Sequence, residues 1–180
     1  MIGKRNMNKA IFLDRDGTIN VDVDYLHETN RLVFIEGVPA ALSKLKQMGY
    51  KLIVISNQSG IGRGYYPPQD VEVLHQYMNE RLREHNAQID RFYYCPHIEQ
   101  DNCQCRKPKT GLINQAVSDF DISLEESYMV GDKETDVLTA IHAGCKYGLV
   151  LSGHAVSDEL QEKYQGHIYK DLNDFVQQIM

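Results

Sequence analysis

The chain has no tryptophan, only five prolines, and too few basic side chains to offset its acids: 19 Lys and Arg against 25 Asp and Glu, a net charge of −6. That balance argues against the basic stripe of a nucleic-acid-binding surface, so no nucleic-acid partner is expected. No apolar stretch approaches the ~20 residues that cross a bilayer, and the polar start lacks the apolar middle of a signal peptide. The chain therefore reads as cytoplasmic, without a membrane partner. Met1–Asn6 reads as a dispensable extension, with Met7 as an alternative start. Repeats, low-complexity tracts and Ser/Gly linkers are also missing, so residues 1–180 read as one domain. An acidic chain that binds an anion must gather positive groups locally.

What is present is a series of short apolar runs. Ala10–Leu13, Leu52–Ile55, Tyr128–Val130 and Tyr147–Leu151 read as strands, with Phe92–Tyr94 as a fifth and His167–Tyr169 as an edge strand. Continuous short runs suit parallel strands covered on both faces. Helical stripes lie between them: Val38/Leu42/Leu45, Val71/Leu74/Met78/Leu82, Leu112/Ile113/Ala116/Val117, Val137/Ala140/Ile141 and Leu172/Phe175/Val176/Ile179. Gly49 and Gly144 stand as stop signals. The alternation predicts a three-layer, doubly wound α/β domain with a mainly parallel sheet.

Three runs end in polar residues: Asp14-Arg15-Asp16-Gly17-Thr18, Ser56-Asn57-Gln58-Ser59-Gly60, and Gly131-Asp132-Lys133-Glu134-Thr135-Asp136. Ligands of open α/β sheets bind at the carboxyl ends of strands, so the three tips are expected to converge. Asp14 and Asp132 would bring two carboxylates together, which calls for a cation between them; magnesium takes oxygen ligands together with phosphate. Gly17 permits a sharp exit from the first strand. Ser56 offers a hydroxyl and Asn57 an amide to phosphate oxygens. Taken singly, each tip is an ordinary turn; the signal lies in all three following buried strands.

Cys95, His97, Cys103 and Cys105 form a tight cluster, and one His with three Cys suits tetrahedral zinc. The alternative is a chance grouping of buried cysteines. Arg106 and Lys107 follow at once, so a zinc-fixed loop could deliver both cations to a phosphate, Arg106 bidentately and Lys107 as a point charge. Cys145 is assigned to the core. His27, His75, His85, His142, His154 and His167 show no partner pattern and read as surface or core.

These motifs, spread over residues 9–151, resemble the four signatures of the haloacid dehalogenase superfamily of phosphatases: Asp14–Thr18, Ser56, Lys107, and Gly131-Asp132 with Asp136. The resemblance implies that Asp14 attacks phosphorus and that Asp16 serves as acid and then base. Ser56 and Lys107 would hold phosphoryl oxygens. Magnesium would sit on Asp14, the backbone carbonyl of Asp16, and Asp132. The Cys-Pro-His…Cys-x-Cys-Arg-Lys-Pro pattern is similar to two groups without a large cap, phosphatases of D-glycero-D-manno-heptose 1,7-bisphosphate and of histidinol phosphate. The Asn20–Glu28 and Gln58–Gly64 stretches resemble the heptose group; the short loop between His97 and Cys103 resembles the other. The expected partner is thus a small phosphorylated sugar, and a monomer is expected. Arg63, Lys109 and the Gly60–Gly64 backbone are expected at a remote phosphate. Asp22, Asp24 and Tyr25 are expected at hydroxyls, with Arg15, Asn57, Gln58, Ser59, Arg106 and Lys133 completing the substrate site. A catalytically weak binding module is the contrasting reading, and intact Asp14, Asp16, Lys107 and Asp132 oppose it.

Overall fold

The computed structural model describes residues 7–180, so the expectation for Met1–Asn6 lies outside the described residues. Six strands form one sheet: β1 (Lys9–Leu13), β2 (Tyr50–Asn57), β3 (Arg91–Cys95), β4 (Tyr128–Gly131), β5 (Lys146–Val150) and β6 (Ile168–Tyr169). All neighbours are parallel, in the order β3-β2-β1-β4-β5-β6. The helices are α1 (Val38–Gln47), α2 (Ser59–Gly62), α3 (Pro68–Arg83), α4 (Gly111–Phe120), α5 (Glu134–Ala143), α6 (Asp158–Lys163) and α7 (Leu172–Ile179). The expected strands and five longer helices are all there. The four-residue α2 and six-residue α6 were not anticipated, because neither is long enough to show an apolar stripe.

The continuous apolar runs are explained by the two faces they serve. Along β1, Ile11 and Leu13 enter one core with side chains of α1, α3 and α7, while Ala10 and Phe12 enter a second core with α4 and α5. The same alternation splits Leu52 and Val54 from Ile53 and Ile55 in β2. With successive side chains pointing to opposite faces, a strand covered on both sides must be apolar at every position. Gly144 ends α5 at φ +80°, its N–H bonded to Ala140 O at 2.9 Å, the left-handed cap that glycine favours.

Strand order reverses between β1 and β4. The chain winds outward from β1 through β2 to β3 on one side, then returns to β4 and continues through β5 to β6 on the other. Leu13 is in register with Val130, so Asp14 and Asp132 leave the sheet side by side at this switch point. No cap domain follows β1: the stretch before α1 carries a single 3₁₀ turn, Thr29–Arg31. Among the described residues no helix is long and apolar enough to cross a membrane.

Phe175 of α7 is wholly buried and meets Tyr128 and Tyr169 edge-on, with ring centroids 5.4 and 5.1 Å apart. Phe175→Ala is expected to cost about 3–5 kcal/mol of stability, read from urea unfolding; a loss under about 1 kcal/mol would show that this end of the core can collapse to fill the void.

Candidate active site and metal centre

Asp14 follows β1 directly, its backbone N–H donating to Val130 O at 2.9 Å. Asp14, Asp132 and Asp136 are all buried, and each offers a carboxylate oxygen to a group whose atoms lie within 4.8 Å of one another. Lys107 Nζ stands between Asp14 Oδ1 at 2.8 Å and Asp136 Oδ1 at 2.6 Å. Burial alone would lower the lysine pKa, but Asp136 and Asp14 outweigh it and raise it well above the usual range. Asp136 is itself pushed up to about 6, by burial and by Asp14, with Lys107 opposing. One ammonium among three buried carboxylates leaves excess negative charge.

The oxygen atoms divide this work unequally. Asp136 Oδ1 is taken by Lys107, and its Oδ2 accepts from the Lys133 N–H at 3.1 Å. Asp132 Oδ2 accepts from the backbone N–H of His154 at 2.8 Å and lies 2.9 Å from its Nδ1. Asp132 Oδ1 is buried and has no partner among the described residues. Burial, and then the Asp14 charge, raise the Asp132 pKa. An orphaned carboxylate oxygen beside a second carboxylate fits a hard divalent cation, which takes oxygen ligands. Gly17, at φ +80°, and Gly153 make room for this group; a Cβ at either would collide with the Asp132 carboxylate.

Asp16 is held differently. Its Oδ1 accepts from Arg15 Nε at 3.1 Å and Asn20 Nδ2 at 2.9 Å; its Oδ2 accepts from Arg15 NH2 at 2.9 Å and Gln58 Nε2 at 3.2 Å. Burial would raise its pKa, but the Arg15 charge and these donors bring it below the usual carboxylate range.

An open cleft of about 630 Å³ lies over these groups, lined by Asp14, Asp16 and Lys107 and by Asp22, Asp24, Tyr25, Asn57, Gln58, Ser59, Arg106 and Lys133. Most of the expected substrate-site residues therefore share one surface. Asp24 and Tyr25 are left-handed, at φ 49° and 53°. Tyr25 meets Tyr65 edge-on at 4.9 Å, and His27 stacks on Tyr66 at 4.3 Å, so the loop after β1 is fastened to the loop after β2.

Five expected contacts are not placed as the sequence suggested. Arg15 is wholly buried and turned away from the cleft, because its guanidinium serves Asp16, Leu26 O and His75. Ser56 is also buried behind the cleft, its Oγ accepting from Gln58 Nε2 at 2.6 Å. Arg63 is exposed and lies off the cleft wall, at the end of α2. Asn57 reaches the cleft, but its amide is engaged with the Lys107 backbone: Oδ1 accepts from the Lys107 N–H at 3.0 Å, and Nδ2 donates to Lys107 O at 3.2 Å. Lys109 lines the cleft, yet its ammonium is bound to Asn102 Oδ1 and Cys103 O, both at 2.7 Å.

The cysteine cluster does assemble. Cys95 Sγ lies 3.5 Å from Cys103 Sγ and 3.1 Å from Cys105 Sγ, and His97 Nδ1 lies 3.6 and 3.3 Å from the Cys95 and Cys105 sulfurs. Burial pushes the Cys95 thiol up, whereas Cys103 falls to about 6, hydrogen bonds from Cys105 and the Arg106 N–H overcoming its own burial. Three sulfurs 3.1–3.5 Å apart cannot all ionise without a cation between them. The four donors can hold a metal. Cys145 packs against the core face of α4 and α5, as expected, and burial raises its pKa to about 12.

Comparison with known proteins agrees with this geometry. A family model described as "HAD-hyrolase-like" matches residues 104–175. A Helicobacter pylori protein named D-glycero-beta-D-manno-heptose-1,7-bisphosphate 7-phosphatase is 48% identical over 81% of this chain and 85% of its own length. The Escherichia coli K12 protein of the same name is 43% identical over 84% of each. The chain belongs to the haloacid dehalogenase-like phosphatases. Among solved structures, the D,D-heptose 1,7-bisphosphate phosphatase of B. bronchiseptica, complexed with magnesium and phosphate, superposes with a TM-score of 0.85 at 29% identity, covering 95% of this chain and 97% of its own.

Two residues of this haloacid dehalogenase-like site escaped the sequence reading. His154 holds Asp132, and it sits four residues beyond the end of β5; the criterion that found the other tips, polar residues just past a buried strand, would have found it there. His75 lies on the apolar stripe of α3 between Val71 and Met78, and its position on that stripe was the available signal.

The Asn57 clamp on Lys107 generates an expectation for this phosphatase. Asn57→Ala leaves the buried Lys107 N–H without its acceptor and frees the lysine to drift. Turnover should fall about 10–100-fold, with about 1–3 kcal/mol lost in stability. Steady-state kinetics beside urea unfolding would test it, and unchanged turnover would show that Lys107 is fixed by its ion pairs alone.

Proposed function

We propose that this phosphatase removes the 7-phosphate of D-glycero-β-D-manno-heptose 1,7-bisphosphate and leaves the 1-phosphate in place. The observation that carries the reading is that the relatives bearing that name match at 39–48% identity across most of both chains. The cleft supports it. Lys107 stands beside Asp14 for one phosphate, Arg106 and Lys133 line the same cleft, each beside a carboxylate (Glu99 and Asp22), and Asp22, Asp24 and Tyr25 offer partners to hydroxyls. The β configuration follows the relatives' names. A cytoplasmic, monomeric enzyme completes the reading, since a reducing compartment keeps closely spaced thiols available to a metal.

In the proposed reaction a carboxylate oxygen of Asp14 attacks the phosphorus, and the bond to the sugar oxygen breaks as the Asp14–phosphorus bond forms. This divides one difficult displacement into two easier ones. Lys107 holds Asp14 in the attacking orientation and offsets the charge of the phosphoryl oxygens. Asp16 delivers a proton to the departing sugar oxygen, then takes one from the water that attacks the phosphorus and frees Asp14. Arg15 favours the carboxylate form needed in the second step; the incoming phosphate dianion favours the acid form needed in the first. The Asn57 clamp and Asp136 keep Lys107 from following the phosphate out. Magnesium, held by Asp14, the Asp16 carbonyl and the orphaned oxygen of Asp132, would lower the repulsion between nucleophile and phosphate.

Zinc is the proposed occupant of the cysteine cluster. Zinc–sulfur bonds of about 2.3 Å give tetrahedral edges of roughly 3.7 Å, close to the separations of 3.1–3.6 Å found here. Its task is to hold the loop that carries Arg106 and Lys107.

Kinetic and elemental measurements bear on this reading. Asp14→Asn should abolish turnover with the fold retained, and the wild type should show a higher kcat/KM for the heptose bisphosphate than for histidinol phosphate. The opposite preference would transfer the substrate assignment to histidinol phosphate and leave the chemistry intact; substantial turnover by a homogeneous Asp14→Asn preparation would remove Asp14 as nucleophile. Protein purified without chelator should carry one zinc per chain by elemental analysis, and Cys105→Ser should lose it with a fall in Tm. A zinc-free wild type of full stability would refute the zinc assignment.

A further inference from the structure

His75 is a polar ring in an apolar place. It lies on α3 between Leu74 and Met78, both in the core, and is only 6% exposed. Its ring stacks on Phe92 of β3, centroids 4.4 Å apart and planes within 16°, and meets Tyr94 at 5.8 Å. Packing alone would be served as well by an aromatic hydrocarbon. What the imidazole adds is Nε2, which lies 3.4 Å from Arg15 NH1.

Arg15 has no exposure to solvent, so each of its N–H groups needs an acceptor inside the protein. Leu26 O takes one from NH2 at 2.7 Å, and the Asp16 carboxylate takes those of Nε and NH2. Among the described residues His75 Nε2 is the side-chain acceptor found for NH1. Burial, and then the Arg15 charge, bring the His75 pKa down to about 3. Burial and the arginine charge thus favour the neutral ring, and since an arginine can only donate, Nε2 accepts. With Leu26 O on one side and His75 on the other, the planar guanidinium has one orientation, and that orientation presents its remaining edge to Asp16.

We propose that His75 is a positioning residue for phosphate transfer: by fixing the Arg15 guanidinium it sets the direction of the Asp16 carboxyl and so the delivery of the proton to the leaving oxygen. The inference rests on Asp16 being the acid, as proposed above. Misdirecting that proton matters only when the leaving group needs it. The departing oxygen of a sugar alcohol needs protonation; the phenol of p-nitrophenyl phosphate leaves as a stable anion without it.

The test compares kcat/KM, which reports the first transfer, on the heptose bisphosphate and on p-nitrophenyl phosphate. His75→Phe keeps the ring and the stack but removes the acceptor. It should lose about 10–100-fold on the sugar phosphate and less than about threefold on the aryl phosphate, with KM for the sugar little changed. His75→Gln, whose amide oxygen reaches the position of Nε2, should recover most of the loss. Arg15→Lys, which keeps the charge and loses the fork, should discriminate as His75→Phe does, and carries the test if His75→Phe does not fold. Equal losses on both substrates, or no loss on either, would overturn the inference. Asp16→Asn runs alongside: if it discriminates and the His75 variants do not, the inference fails alone; if it does not discriminate, the assignment of Asp16 as the acid fails first.

Discussion

The site is organised around a single buried ammonium. Lys107 Nζ bridges Asp14 and Asp136, and neither partner has appreciable contact with water. Taking such charges out of water costs several kcal/mol per ion unless their partners are close and well directed, so each element that meets here is held to its place. Asp14 comes from the end of β1, Asp136 from the first turn of α5, and Lys107 from the cysteine loop. Asn57, at the end of β2, grips the lysine backbone on both sides. Four segments far apart in sequence thus meet at one residue.

The neighbouring carboxylates are kept distinct by what surrounds them. Asp136 has both oxygens occupied, one by Lys107 and one by the Lys133 backbone. Asp132 has one oxygen bound by His154 and one buried without a partner among the described residues. Asp16 faces an arginine and two amides. Four aspartates at one switch point are thus given different surroundings, by neighbours from their own loops and from distant ones. The glycines at 17 and 153 belong to the same arrangement, because only a residue without a Cβ leaves the Asp132 carboxylate its space.

The cysteine loop links this centre to the outer wall of the cleft. The residues that close the cluster, Cys103 and Cys105, lie immediately before Arg106 and Lys107, and Lys109 returns its ammonium to Asn102 and Cys103. The loop therefore places Lys107 inward, on Asp14, and turns Lys109 back on itself, while Arg106 lines the cleft with its guanidinium on His97 O at 3.3 Å and beside Glu99 at 3.6 Å. That division was not readable from the basic run, since three adjacent cations look alike in sequence while their acceptors come from loop and strand residues brought close only by folding. Arg15 was misread for the same reason: an arginine between two catalytic-looking aspartates suggests a phosphate contact, and beside Asp16 its acceptors are Leu26 O and His75, 11 and 60 positions away.

Local pattern determined a great deal of this protein. Apolar runs covered on both faces fixed the parallel sheet, the polar residues after them marked the strand tips, and the close spacing of Cys95, His97, Cys103 and Cys105 marked a loop able to hold a metal. Each of these properties is set within a dozen residues, where strand periodicity and donor spacing act directly. Folding alone decided which oxygens remain free, which cations face the cleft, and that His75 and His154 belong to the site. These depend on contacts between distant strands, whose hydrogen bonds leave no trace in the order of residues until the sheet has brought them together.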